Sequence, residues 1–134
     1  MNPAATASRD TRHVPDLAAA LALFEPLAHQ PHEMLAFAYL DPERRVLGMR
    51  HTHPGGTAAV LVPVRDVVAD AIAFDTVAVV MAHNHPSGDP TPSEADRAVT
   101  RRLAQALNAI GVSLVDHVIL ARDRSASFRM LELL

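Results

Sequence analysis

The sequence predicts an α/β domain, a mixed sheet with helices packed on its faces. Three observations predict it. Thr76 to Ala82 (TVAVVMA) is apolar at nearly every position and dense in valine, the pattern of a central strand buried on both faces. Segments of helical period flank it, Val64 to Phe74 before and Ser93 to Ile110 after. Short bulky apolar runs, Glu33 to Leu40 and Val112 to Ala121, supply further strands.

Taken in order, residues 1–13 are small and polar and read as a flexible tail, so the folded domain spans 14–134. Pro15 and Asp16 open an Ala/Leu-rich helix, Leu17 to Ala28, because Pro fits a first helical position and an acid favours the helix N-terminus. Pro26 ends or kinks it. Glu33 to Leu40 is the first strand. Asp41-Pro42-Glu43-Arg44 is a turn with Pro at its second position, and Arg45 to His53 returns as a second strand. Pro54-Gly55-Gly56 breaks it, and Ala59 to Val62 reads as a short third strand. In the helix Val64 to Phe74, Val64, Val67, Val68, Ala71 and Ile72 share one face. His83 to Pro92 is a loop. Ser93 opens the longest helix, whose Val99, Leu103, Leu107 and Ile110 follow the helical period, and Gly111 sits where a left-handed cap prefers glycine. Val112 to Ala121 is a strand, with Ser127 to Leu133 a last one.

The 134 residues suit a single domain, and 49% hydrophobic against 20% charged residues is globular composition. The chain has no cysteine. Disulfides, thiolate metal sites and a Cys nucleophile are therefore excluded, and any metal must be held by nitrogen and oxygen. The formal net charge is −3, whereas nucleic-acid binders usually carry a basic excess. The local cluster Arg97, Arg101 and Arg102 reads as a solvated helix face. No signal peptide or bilayer-spanning run is visible, which predicts a cytoplasmic protein with no membrane partner.

Chemistry concentrates in His83-Asn84-His85-Pro86-Ser87-Gly88-Asp89-Pro90-Thr91-Pro92-Ser93-Glu94-Ala95-Asp96. His83 and His85 stand two apart at the C-terminal end of a buried strand, so alternation puts them on one side. Strand ends of this kind bind ligands in open α/β sheets. Two imidazoles there could grip a divalent ion, with Asp96, in the first turn of the next helix, as third ligand. The residues alone leave another reading open: a lone His-x-His is a weak signal, and Ser93 with Asp96 also makes a helix cap.

The same residues resemble a known family. His-x-His, seven residues, Ser, two residues and Asp is the signature of the JAB/MPN+ (JAMM) metalloproteases, and the longer string HNHPSGDPTPSEAD resembles their RadC branch. Arg65-Asp66, the stretch Ala109 to Leu120 with Asp116-His117, and Ser127 fit the same branch, so the resemblance covers about residues 30–130. It implies a cytidine-deaminase-like three-layer α/β/α fold. It implies Zn2+ on His83, His85 and Asp96, with Ser93 hydrogen-bonding the developing oxyanion. A Glu on an upstream strand acts as general acid/base, and Glu33, at the start of the first strand, is the residue so placed. The implied reaction is hydrolysis of a peptide or isopeptide bond in a peptide or protein substrate.

Two departures matter. Full-length RadC proteins carry an N-terminal helix-hairpin-helix region of DNA-binding type, for which these residues leave no room, and this weakens a DNA-repair role. His51-Thr52-His53-Pro54 echoes the motif without a following Ser-x-x-Asp and reads as an exposed strand end. His117, in an apolar strand, reads as a hydrogen-bonded structural histidine. His13, His29 and His32 show no usable pattern. The competing reading is a non-enzymatic module binding DNA or a repair complex, and metal-assisted phosphodiester hydrolysis ranks last because groups to hold phosphate are sparse. The hairpin strand offers an edge for a homodimer.

Overall fold

The computed structural model describes residues 12–52 and 62–134. Its core is a five-stranded mixed sheet: β1 (Leu35–Leu40), β2 (Val46–Thr52), β3 (Ala78–Asn84), β4 (Ser113–Ala121) and β5 (Arg124–Ser127), in the order β2-β1-β3-β4-β5. Only β3 and β4 run parallel. They are joined through a helix, the kind of crossover a parallel pair requires. Among the described residues there are three α-helices, α1 (Leu17–Phe24), α2 (Val64–Ala73) and α3 (Glu94–Ala109).

Strand alternation sorts the core into two clusters, one on each face. Ala36, Ala38 and Leu40 of β1 join Ala78, Val80 and Ala82 of β3 and Val118 and Leu120 of β4 beneath α1. Leu35, Phe37 and Tyr39 join Val79 and Met81 beneath Val67 and Ala71 of α2 and Leu103 and Leu107 of α3. β3 is buried at every position, as its continuous apolar run predicts.

The local signals are readable. Asp16 caps α1 by accepting Ala19 N–H at 2.9 Å. Pro26 ends the α-helix earlier than expected: α1 stops at Phe24 and a 3-10 turn, Glu25–His29, completes the segment. Gly111 closes α3 at φ +78°.

Several expectations are corrected. Ile72 is 64% exposed, so the apolar face of α2 is narrower than its periodicity suggests. Ser127 to Leu133 is not a strand. β5 ends at Ser127 and the chain then turns, because Asp116 Oδ1 accepts Arg129 N–H at 3.0 Å and Phe128 O accepts Leu133 N–H at 2.8 Å. Arg12 and His13 lie against the hairpin, with a bridge between His13 and Arg45 and Arg12 O accepting Val46 N–H at 3.0 Å. Residues 1–11 of the expected tail, His53, and most of the expected short strand Ala59 to Val62 lie outside the described residues. Val62 itself is not in a strand.

α2 is fastened to the sheet by one polar cluster. Arg50 of β2 grips Asp70 of α2 through two bonds, 2.5 and 3.0 Å, and the Tyr39 hydroxyl donates to the same carboxylate at 2.7 Å. The Arg50 hydrogen bond holds the Asp70 carboxyl below the usual range against the opposing effect of burial, and Tyr39 adds to it. Burial first, then Asp70, pushes the Tyr39 hydroxyl up. A carboxyl depressed in the folded state stabilises above its unfolded pKa, about 4, and that contribution fades as pH falls through the folded value. Asp70→Asn is therefore less stable than wild type at neutral pH, with the gap closing in acid. Urea unfolding across pH checks this, and a gap independent of pH would refute it.

Candidate metal centre

The site forms where β3 leaves the sheet and α3 begins. The His83 and His85 side chains fall on one side, as alternation requires, with their Nε2 atoms 2.9 Å apart. The Asp96 carboxylate straddles them, Oδ1 at 3.4 Å from His83 Nε2 and Oδ2 at 3.3 Å from His85 Nε2. Glu33 Oε1 stands 3.7 Å from His83 Nε2. Glu33, His83 and His85 each offer a ligand atom, all within 4.8 Å of one another.

The protons leave this a site that could hold a cation. His85 Nδ1 lies 2.8 Å from the backbone oxygen of Asp89, which can only accept. The network therefore assigns the His85 proton to Nδ1, and the neutral ring presents a lone pair at Nε2. That lone pair faces another imidazole nitrogen and two carboxylates at close range. Such a group of acceptors repels itself unless a cation, or a proton standing in for one, lies among them. The hydrogen bond to Asp96 pushes the His85 pKa up, burial opposes it, and the Asp89 carbonyl adds to the rise. Burial pushes the Asp96 carboxyl up, but the hydrogen bonds with His83 and His85 outweigh it and hold it well below its ordinary range. The donor set, nitrogen and oxygen only, fits zinc or another divalent ion of similar preference.

Asp96 also serves the helix. Its Oδ2 accepts Ser93 N–H at 2.8 Å, and Ser93 Oγ accepts Asp96 N–H at 3.0 Å, a capping box that sets where α3 starts. One carboxylate thus faces the imidazoles and closes the helix end, so the two readings the spacing left open coincide. Ser93 is exposed, and its hydroxyl accepts in this box, which leaves its own proton for donation.

Glu33 is not where the sequence suggested. The first strand starts at Leu35, so Glu33 lies in the preceding segment and depends on another anchor. That anchor is Asn84, the residue between the two histidines, whose side chain points to the opposite face. Its Oδ1 accepts Met34 N–H at 2.6 Å, and its Nδ2 donates to Gln30 O at 3.2 Å and His32 O at 2.9 Å. The backbone on both sides of Glu33 is thereby clamped to the strand that carries the imidazoles. His83 Nδ1 in turn meets His117 Nε2 at 2.6 Å, and His117 Nδ1 meets Thr100 Oγ1 at 2.7 Å. Neither Asn84 nor Thr100 stood out in the sequence. Alternation marks Asn84 as the residue facing away from the histidines, and Thr100 is one helical turn past Asp96. His51 is exposed on β2 and, among the described residues, belongs to no such group.

The fold and site define a mixed α/β domain with a buried His/His/carboxylate cluster at the end of a central strand. The model of the RadC-like JAB domain matches residues 14–133. This chain belongs to that family. It is 44% identical over 101 residues to a UPF0758 protein of Bordetella avium, covering 75% of this chain and 45% of that one. It is 40% identical over 102 residues to a UPF0758 protein of Vibrio cholerae, covering 76% and 64%. A UPF0758 protein of Thermotoga maritima is 42% identical over 105 residues, covering 78% and 47%. The chain thus spans about half the length of most of these relatives.

Replacing Asn84 by Ala strips partners from the backbone of residues 30, 32 and 34 together. Asn84→Ala is expected to lose about 1–3 kcal/mol of stability, the cost of leaving part-buried polar groups without their partner. It is also expected to raise hydrogen exchange at Met34 N–H in the metal-free protein. Unchanged exchange at Met34 would remove Asn84 as the anchor of Glu33.

Proposed function

We propose that this domain is a zinc-dependent hydrolase of peptide or isopeptide bonds in a peptide or protein substrate, with His83, His85 and Asp96 holding the metal. The observation that supports this most is the convergence of two imidazole nitrogens and two carboxylates, with the Nδ1 proton of His85 already committed elsewhere. Three protein ligands with a remaining open position is the usual arrangement of catalytic zinc. When bound, the ion would act as a Lewis acid and bring the pKa of a water molecule towards about 7.

The chain's own residues supply the rest. The Glu33 side chain is 30% exposed, so water and substrate both reach it, and the clamp at Asn84 keeps it beside His83. We assign it as the base that takes a proton from the attacking water and delivers it to the leaving amine. Ser93, exposed at the mouth of the site, would donate its hydroxyl proton to the oxyanion that forms on the substrate carbonyl. Helices on both faces of the sheet support a three-layer, cytidine-deaminase-like arrangement. Among the described residues no helix is long and apolar enough to cross a membrane. A cytoplasmic location stands as a proposal of the same kind.

Elemental analysis of tag-free protein is expected to find about one zinc per chain in wild type and none in His85→Ala. Glu33→Gln should keep the metal and lose amide or isopeptide hydrolysis by about 10²–10⁴-fold. Wild type that stays metal-free after zinc is added back would sink the reading, and so would Glu33→Gln with full activity.

Metal retention also has a pH sign. A protonated imidazole cannot ligate, and His85 holds its proton to a higher pH than an ordinary histidine. Bound zinc should therefore be retained at neutral and mildly alkaline pH and be lost as acid protonates its ligands. Retention that improves in acid would contradict the assignment.

A further inference from the structure

The hydrogen-bond path that starts at His83 runs on through the core and returns to the site. His83 Nδ1 meets His117 Nε2 at 2.6 Å, His117 Nδ1 meets Thr100 Oγ1 at 2.7 Å, and Thr100 Oγ1 meets the Asp96 backbone oxygen at 2.6 Å. His83 and His117 are 0% exposed, Thr100 1% and Asp96 2%, so no water can substitute for a missing partner.

The direction of every proton follows from the far end. A carbonyl oxygen only accepts, so Thr100 spends its single proton on Asp96. The Thr100 oxygen must then accept, and His117 Nδ1 carries the proton it accepts. His117 is fully buried and bonded by an imidazole on one side and a hydroxyl on the other, with no carboxylate on either nitrogen, so its ring is neutral. Its Nε2 is therefore a lone pair and accepts from His83 Nδ1–H. With that proton on Nδ1, the neutral His83 ring presents a lone pair at Nε2, towards His85, Asp96 and Glu33. With both rings neutral, any other assignment sets two protons or two lone pairs against each other somewhere along the path.

The backbone is bent to make this path. Leu114 of β4 pairs with Val79 and packs under α2 and α3. Strict alternation from Leu114 would turn residue 117 to the opposite face. The register slips by one residue at this point, so that Val80 faces Asp116 and Met81 faces His117. This bulge re-aims His117 to the His83 side. Phe128 stacks on its ring at 4.4 Å between centroids and fixes the plane.

We propose that His117 and Thr100 are positioning residues that lock His83 in its Nδ1-protonated tautomer and so hold its Nε2 lone pair ready for a divalent cation. The proposal rests on the metal reading of the site. It predicts more than a structural histidine would, because packing alone does not care which nitrogen of His83 carries the proton.

The test uses Thr100→Val, which keeps the shape but neither accepts from His117 nor donates to Asp96, and Thr100→Ser, which restores both bonds. Long-range ¹⁵N–¹H NMR of metal-free wild type, at alkaline pH where the imidazoles are neutral, should show His83 protonated on Nδ1. Thr100→Val should show a mixture of tautomers and bind zinc about 10–100-fold more weakly in chelator competition, the usual cost of losing an outer-shell partner. Thr100→Ser should return both readouts towards wild type. Zinc-binding wild type with its metal-free His83 protonated on Nε2 overturns the lock alone, and that spectrum decides even if Thr100→Val fails to fold. Thr100→Val with wild-type tautomer and affinity also overturns it. Wild type that shows the Nδ1 tautomer but binds no zinc sinks the metal reading, and with it the purpose assigned to the relay.

Discussion

Two imidazole nitrogens held 2.9 Å apart beside two carboxylates form a cluster of acceptors that neutral side chains do not adopt unaided. A set of hydrogen bonds drawn from several parts of the domain keeps that cluster assembled. Each member is restrained from behind. Asp89 O holds His85 through Nδ1, His117 holds His83, the capping box holds Asp96, and Asn84 holds the segment bearing Glu33. The restraints come from different parts of the chain. Loss of any one should therefore misplace a single group and leave the others in position.

The fold explains why this place can carry such a cluster. β3 is buried on both faces and paired on both edges, which makes its end a rigid platform. The parallel pairing with β4 requires a crossover, and α3 provides it, so the N-terminus of α3 comes back to the strand end it left. The loop between them is stiffened by its prolines and by Asp89, whose side chain accepts from Thr91 at 3.0 and 2.7 Å. The His-x-His to Asp spacing is thus the length needed to leave a strand and cap the helix that follows.

Much of this was legible in the residues. The valine-rich run marks β3, the helical period marks α2 and α3, and period-two alternation brings the histidines together. Ser93 and Asp96 announced the start of α3. What the sequence could not convey was longer in range or finer in register. Nothing local separates Glu33 in a strand from Glu33 just before one, because the difference lies in bonds from Asn84, fifty residues away. His117 read as a hydrogen-bonded histidine, which it is, but its partner depends on a one-residue slip between β3 and β4 that periodicity does not encode. The C-terminal segment read as a strand because its pattern is apolar. The Asp116 carboxylate, accepting from Ser127 Oγ at 2.6 Å and from Arg129 N–H at 3.0 Å, turns it instead.

The same electrostatics ties function to stability. A cation placed among these groups removes their mutual repulsion, and the ligands are assembled only in the folded chain. Part of its binding free energy therefore appears as folding free energy. The metal-free domain must hold the cluster by hydrogen bonds alone, and protonation of His85 against Asp96 is the compromise the geometry offers. That compromise neutralises the cluster with a proton where an ion would otherwise sit, at the cost of occupying a ligand. A bound ion would compete with that proton for one position, and the relay proposed behind His83 would leave that competition to be settled on the more exposed side, at His85.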